Sequence, residues 1–324
     1  MDTRIIKNIG VIGVGAVGGY FGGKLCQITS SDSNIGVYFV ARGPHLQEIR
    51  KNGLLLTTAE EGDLTCKPTL ATDRLDELPA LDLCLLCVKS YDLVRVLTEV
   101  RGAISRETLI VPLLNGVDIY ERIRAVVAEG YVFPSCVYIG AYVEKPGRVV
   151  QKGGSCKILF GKDPQYRDII PHEVFRLFER TNIWYQWVED PYPEIWEKFI
   201  FIAAFGLVTA CFRKSMGQVM ESAELSNYVL SMMKEIVALA RQEGIALRES
   251  IVEDSFNKGG HFPYETRTSL QRDFERADKL DERDLFGGTI LRLARSSGIK
   301  VPVISLIYEK LEGIKKVSEG LLGS

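Results

Sequence analysis

Residues 9–18 read Ile9-Gly10-Val11-Ile12-Gly13-Val14-Gly15-Ala16-Val17-Gly18. A short apolar strand, Ile9 to Ile12, runs into Gly13-x-Gly15-x-x-Gly18, and a helical stretch follows as far as Gln27. A dinucleotide pyrophosphate needs this frame of strand, glycine turn and helix. Gly13 permits the tight turn, Gly15 lets the anion approach the backbone, and Gly18 lets helix pack on strand. The helix start adds unpaired N–H groups that favour an anion.

Working outward, Gly36 to Val40 is a second strand, ending at Ala41-Arg42-Gly43. An acidic residue at this point would accept a hydrogen bond from the ribose 2′-OH of NAD. Arg42 stands there instead, and a guanidinium suits a 2′-phosphate, so the expected cofactor is NADPH. Pro44 opens a helical segment, His45 to Lys51, closed by Gly53. Leu81 to Val88 and Thr108 to Leu114 are continuous apolar runs, the pattern of strands buried on both faces of a parallel sheet. They lead into Lys89 and Asn115, at the carboxyl ends where ligands gather in a doubly wound α/β domain. Three β-rich pieces, Val137 to Val143, Arg148 to Gln151 and Lys157 to Phe160, read as hairpins extending that sheet. After the stiff loop Asp190-Pro191-Tyr192-Pro193 nearly everything reads helical: Glu194 to Phe212, Ala223 to Gln242, Glu282 to Ser296 and Val303 to Val317. The expectation is an α/β chain: a Rossmann-type doubly wound domain over 1–190, then an all-helical domain over 191–324.

With 46% hydrophobic and 25% charged residues, the 324-residue chain has an ordinary globular composition, which excludes a disordered or fibrous class. Forty Lys and Arg against 42 Asp and Glu, without a basic stripe, argue against nucleic acid as a partner. Seven scattered cysteines, an odd number, fit free thiols in a reducing compartment, so the cytoplasm is expected. The apolar run Phe199 to Phe212 is short for a bilayer and reads as a buried helix, and the glycine-broken run from Ile9 does not read as a leader peptide. Cys84 and Cys87, three apart on a strand, point to opposite faces and read as buried apolar side chains. The three histidines fall in no zinc-ligand spacing, so no metal is expected, and His45 is placed in the first turn of a surface helix.

Lys198 is the most informative ionisable residue. Trp196 and Phe199 to Val208 surround it with apolar surface on a helix buried nearly all round. Desolvation there would lower the pKa of the ammonium, and reducing a ketone needs such a proton donor at the developing alkoxide. The plain alternative is a lysine snorkelling to the surface from the end of a core helix.

In this order the motifs Gly13-Val14-Gly15-Ala16-Val17-Gly18, Ala41-Arg42-Gly43, Cys87-Val88-Lys89, Leu114-Asn115-Gly116-Val117, Trp196-Glu197-Lys198, Thr268-Ser269, Glu282-Arg283-Asp284 and Gly298-Ile299-Lys300-Val301-Pro302 span nearly the whole chain. They resemble the ketopantoate reductase (2-dehydropantoate 2-reductase) family. The resemblance implies an oxidoreductase with an NADPH-binding Rossmann domain, a helical domain and a cleft between them, reducing ketopantoate to pantoate for pantothenate biosynthesis. It makes Lys198 the proton donor, Lys89 and Asn115 cleft residues near nicotinamide and substrate, Ser269 a substrate-carboxylate ligand and Ala141 a backbone contact to cofactor. Glu282 takes the place of the carboxylate near the nicotinamide ribose, with Asp281 as the alternative.

This chain departs from the family on the Lys198 helix. Ile202 and Gly206 stand where the family commonly has asparagines, and Met216 falls near a third. At helical spacing the first two share a face with Lys198 and make a more apolar wall. The leading reading is therefore NADPH-dependent reduction of a 2-oxo acid, ketopantoate first. The rivals are a related 2-oxo-acid or 3-hydroxy-acid dehydrogenase with a more apolar substrate, and a non-catalytic NADPH-binding redox sensor. The long helices are left to serve either a homodimer or the intramolecular core.

Overall fold

The protein is described here by a computed structural model covering residues 5–30, 32–276 and 280–322. It divides into two units, Met1–Pro191 and Tyr192–Ser324.

The first unit runs β1 (Asn8–Ile12), α1 (Ala16–Cys26), β2 (Gly36–Val40), α2 (Gly43–Asn52), β3 (Leu54–Thr58), β4 (Gly62–Cys66), β5 (Leu70–Thr72), β6 (Leu83–Leu86), α3 (Leu93–Val100), β7 (Leu109–Pro112), α4 (Ile119–Arg124) and β8 (Tyr131–Val132). It continues through β9 (Ser135–Tyr138), β10 (Ala141–Lys145), β11 (Arg148–Gln151), β12 (Lys157–Gly161), α5 (His172–Arg180) and β13 (Tyr185–Val188). Strands β5-β2-β1-β6-β7-β8 form one sheet, parallel throughout. β6 and β7 are buried at every position, which explains their unbroken apolar sequence.

The pieces after Tyr131 do not extend this sheet, contrary to the sequence reading. β10-β11-β3-β4 form a second sheet and β13-β12-β9 a third. The β3–β4 hairpin, which turns at Gly62 (φ +71), goes unread in the sequence, and it is β3 that pairs in parallel with β11 and captures it. Helix α1 lies between the two sheets. An added Cβ at Gly22 would meet Phe39 of β2 at 2.8 Å, while one at Gly19 would meet Val149 of β11 at 2.6 Å and one at Gly23 would meet Leu56 of β3 at 2.9 Å. Each glycine costs a helix about 1 kcal/mol against alanine. Here their bare surfaces let strands approach from both sides, and burial of α1 from Gly18 to Cys26 offsets that cost.

The second unit is helical: α6 (Tyr192–Phe212), α7 (Met216–Glu221), α8 (Ala223–Gln242), α9 (Ile251–Lys258), α10 (Ser269–Phe274), a π-helical turn (Asp284–Gly288), α11 (Thr289–Ser297) and α12 (Pro302–Leu322). α6 is longer than its apolar run suggests. At 21 residues, with mean hydropathy 1.7 in its most apolar stretch, it is long and apolar enough to cross a membrane, yet 72% of that stretch is buried inside the protein. α8, α10 and α12 pack around it. The Glu235 carboxylate on α8 accepts from the amides of Val303 (2.8 Å) and Ile304 (3.0 Å), capping the start of α12.

Candidate functional site

The glycine loop is pinned to β2: the amides of Gly13 and Val14 both donate to the Val40 carbonyl, at 3.0 and 2.8 Å. Gly13 adopts φ +96, and a Cβ there would press on the Val88 amide at 2.8 Å; a Cβ on Gly18 would strike the Gly13 carbonyl. These two glycines are required by packing. Gly15 differs, since no protein atom lies within 4 Å of its would-be Cβ. The open space lies at the first turn of α1, which has no acidic side chain and no side-chain cap. Backbone amides at Ala16, Val17 and Gly18 lack intrahelical acceptors in such a turn. An open cradle beside unpaired donors fits a dinucleotide pyrophosphate.

Ile12, Leu86 and Pro112 are in register across β1, β6 and β7. Lys89 and Asn115 each lie three residues beyond their strand's matched end, on the same edge as Gly13 and both half-buried. Gly116, at φ +124, makes the turn after Asn115 in a conformation that side chains rarely adopt. Ala141 opens β10 and is half-buried.

Arg42 holds the N-cap position of α2 two residues beyond β2, and its side chain is mostly exposed. Its Nη2 donates to Asp92 Oδ2 at 2.6 Å, while Arg95 donates to Asp92 Oδ1 at 3.0 Å. Burial works against the charge on Asp92, but hydrogen bonds from Arg95 and Arg42 outweigh it and hold the carboxyl below its ordinary range. Neither Asp92 nor Arg95 is signalled by sequence spacing, because the 3-10 turn Ser90–Asp92 after β6 brings them to Arg42.

His45 stands where the sequence places it, with closer packing than a free surface side chain has. It is half-buried in the first turn of α2, accepting from the Gly147 amide on Nδ1 at 2.9 Å. Its Nε2 is buried without a hydrogen-bond partner among the described residues. Burial pushes this imidazole's pKa down, the Val14 carbonyl partly opposing.

In the second unit Lys198 occupies the second turn of α6 and is half-buried, between buried Trp196 and Phe199. Its neighbour Glu197 pairs with Lys258 of α9 at 2.7 Å and with Arg248 just before that helix at 3.2 Å. Burial opposes that carboxylate's charge, and the two cations overcome it, lowering its pKa. Phe199 rests on Phe286, ring centroids 5.9 Å apart, which brings the Lys198 segment beside the turn following Glu282. Glu282 is buried. Asp281 is committed elsewhere: its carboxylate accepts from the Arg283 amide (3.1 Å) and guanidinium (2.9 Å), with Lys315 at 3.8 Å.

Ser269 begins α10 and is exposed. The residue before it does the anchoring. Thr268 Oγ1 accepts from the Gln271 amide at 3.2 Å and shares a 2.8 Å hydrogen bond with Thr209 Oγ1 of α6. The Thr268-x-x-Gln271 spacing was the available sequence signal for this cap. A Cβ on Gly206 would meet Leu270 at 3.6 Å, so α10 covers α6 there, while Ile202, one turn nearer Lys198, stays half-buried.

The seven cysteines are free thiols, Cys84 fully buried. Among the described residues, no three His, Cys, Asp or Glu side chains gather as a metal site.

These features define a class: two-unit proteins with a parallel α/β unit of the dinucleotide-binding type and a helical unit. Residues 9–165 match the family described as Ketopantoate reductase PanE/ApbA, and residues 191–315 match its C-terminal domain, Ketopantoate reductase PanE/ApbA C terminal. The chain belongs to the ketopantoate reductase PanE/ApbA family, whose members use a nicotinamide cofactor. It is 26% identical to an uncharacterized oxidoreductase, YkpB, of Bacillus subtilis, over 93% of this chain and 97% of that one. It is also 26% identical to a 2-dehydropantoate 2-reductase of Streptococcus pyogenes, over 92% and 95% of the two chains. Among solved structures, D-mandelate dehydrogenase with NADH and anilino(oxo)acetate has the same fold, with TM-score 0.82 and 19% identity over 96% of this chain and 99% of that one.

Proposed function

We propose that this protein reduces a 2-oxo acid with NADPH, with 2-dehydropantoate reduced to pantoate as the first candidate. The observation carrying the reading is Lys198, half-buried on an apolar helix between buried Trp196 and Phe199. In this mechanism the Lys198 Nζ gives its proton to the ketone oxygen as negative charge develops there. The bound nicotinamide supplies the hydride. Gly13, Val14, Gly15, Ala16, Val17 and Gly18 hold the pyrophosphate, Arg42 the 2′-phosphate, and Lys89, Asn115 and the Ala141 backbone the nicotinamide half. Glu282 takes the carboxylate role near ribose and ammonium, supported by the commitment of Asp281 to Arg283 and Lys315. The Ser269 hydroxyl binds the substrate carboxylate, on a turn fixed by Thr268 and Thr209. Seven free thiols favour a reducing, cytoplasmic setting.

A second reading keeps this chemistry with a more apolar 2-oxo acid. Half-buried Ile202 favours it, because an amide-free side chain there pairs poorly with a polar hydroxyl-bearing substrate, while Gly206 is covered by Leu270 and takes no part in that face. Following NADPH oxidation with ketopantoate and with bulkier, apolar 2-oxo acids tests both. Turnover of ketopantoate at the highest kcat/KM supports the first, and preference for an apolar acid supports the second. Tight NADPH binding with no oxidation across the panel would leave a nucleotide-binding protein without reductase activity.

A further inference from the structure

The carboxylate of Asp92 bridges two guanidinium groups, Arg42 at 2.6 Å and Arg95 at 3.0 Å, and Arg95 is further held by Glu99 at 2.9 Å. The three side chains come from the end of β2 and the segment following β6. Those two strands flank β1, whose end carries the glycine loop. In a doubly wound sheet the adenosine ribose extends from the pyrophosphate toward the end of the second strand, where Arg42 stands. We infer that Asp92 and Arg95 join Arg42 in reading the ribose 2′ position, and that Asp92 sets how sharply the protein separates NADPH from NADH.

Two guanidinium groups are balanced by the carboxylates of Asp92 and Glu99, so a 2′-phosphate of about −1.5 to −2 must compete with these carboxylates for Arg42 and Arg95. Arg42 and Arg95 attract that phosphate, whereas Asp92 already occupies one donor of Arg42 and one donor of Arg95. The same carboxylate can accept from the 2′-OH of NADH, the role an acidic residue plays at the end of the second strand in NAD-binding relatives of the fold. The site thus holds one group suited to each nucleotide, and Asp92 narrows the advantage that Arg42 gives NADPH. Its side chain is only 16% exposed against 66% for Arg42, so the carboxylate is the better-fixed member of the pair.

This inference rests on the reading that the glycine loop binds a nicotinamide dinucleotide. Its test is equilibrium titration of NADPH and NADH against the wild type, Asp92→Asn and Arg95→Gln, with circular dichroism confirming that each variant folds. The readout is the ratio of the NADH Kd to the NADPH Kd. Asp92→Asn is expected to raise the ratio roughly twofold to fivefold, the size of an exposed ion pair, and Arg95→Gln to lower it by a similar factor. Wild type binding both nucleotides with a ratio unmoved by either substitution, or moved the other way, overturns the role of Asp92 and Arg95 alone. Wild type binding neither nucleotide overturns the cofactor reading and this inference together. Should Asp92→Asn fail to fold, Arg95→Gln decides: a lowered ratio upholds the inference and an unchanged one rejects it.

Discussion

Phe199 and Phe286 pack with ring centroids 5.9 Å apart, so the residue after Lys198 rests on the turn that begins just beyond Glu282. An ammonium segment and a carboxylate segment 84 positions apart in sequence become neighbours through one aromatic contact. Lys198→Ala is expected to lower kcat by about 10²- to 10⁴-fold, the usual worth of a positioned proton donor. Fluorescence titration should find NADPH affinity nearly unchanged. Equal turnover by wild type and variant removes Lys198 from the mechanism.

The glycine loop separates packing from binding. Gly18→Ala drives a methyl into the Gly13 carbonyl and should lower both thermal stability and cofactor affinity. Gly15→Val places its side chain in open space at φ −100, so the melting temperature should hold while nucleotide binding weakens at least tenfold. Undiminished NADPH binding by Gly15→Val means that the cradle is not where the pyrophosphate sits.

Substrate choice is expected to turn on Ile202. Replacing Ile202 with Asn adds an amide to the half-buried face of α6 one turn from Lys198. Relative kcat/KM should shift toward hydroxyl-bearing 2-oxo acids by roughly 10-fold, one hydrogen bond's worth. A substrate panel giving the same ranking for wild type and variant removes Ile202 from the substrate surface.

Asp163 is fully buried and accepts from the Tyr120 hydroxyl (2.8 Å), the Val132 amide (2.8 Å), the Gln165 amide (2.9 Å) and the Arg124 guanidinium. Asp163→Ala leaves Arg124 charged and buried without this partner, at a cost of about 3–5 kcal/mol in urea denaturation. A loss below 1 kcal/mol contradicts the account.

His45 gives a pH signature. Its folded pKa is depressed by burial, so its contribution to stability is fully present above the ordinary histidine pKa of about 6.5 and is lost as pH falls through the folded value. His45→Asn keeps an acceptor near the Gly147 amide without titrating. Denaturation at pH 7.5 and pH 5 should show the wild type losing more stability on acidification than the variant. Equal losses place the titration elsewhere.

Much of the first unit was legible because its signals are local. Gly36–Val40 appears at the predicted bounds, since five apolar residues closed by an arginine and a glycine leave little choice. Helix α8 likewise spans Ala223–Gln242, with Ser222 capping it by accepting from the Leu225 amide. The second and third sheets were not legible. Val149 and Leu159 look alike as apolar strand residues, yet one strand pairs with β3 and the other with β9 and β13. In the candidate site, Lys198 and the glycine loop stood out by composition. Asp92, Arg95 and Thr268 were ordinary surface residues until their partners came into range.

The sequence by itself determined the strand–glycine–helix opening, the arginine after the second strand and the helical texture beyond residue 190, because hydrophobic period and glycine spacing act between near neighbours in the chain. Only the tertiary structure decided that α1 is clasped between two sheets, that Asp281 is bound to Arg283 and Lys315, and that Asp92 holds Arg42 across fifty residues. Those outcomes depend on which distant surfaces exclude water together, a property of the packed whole that no local pattern encodes.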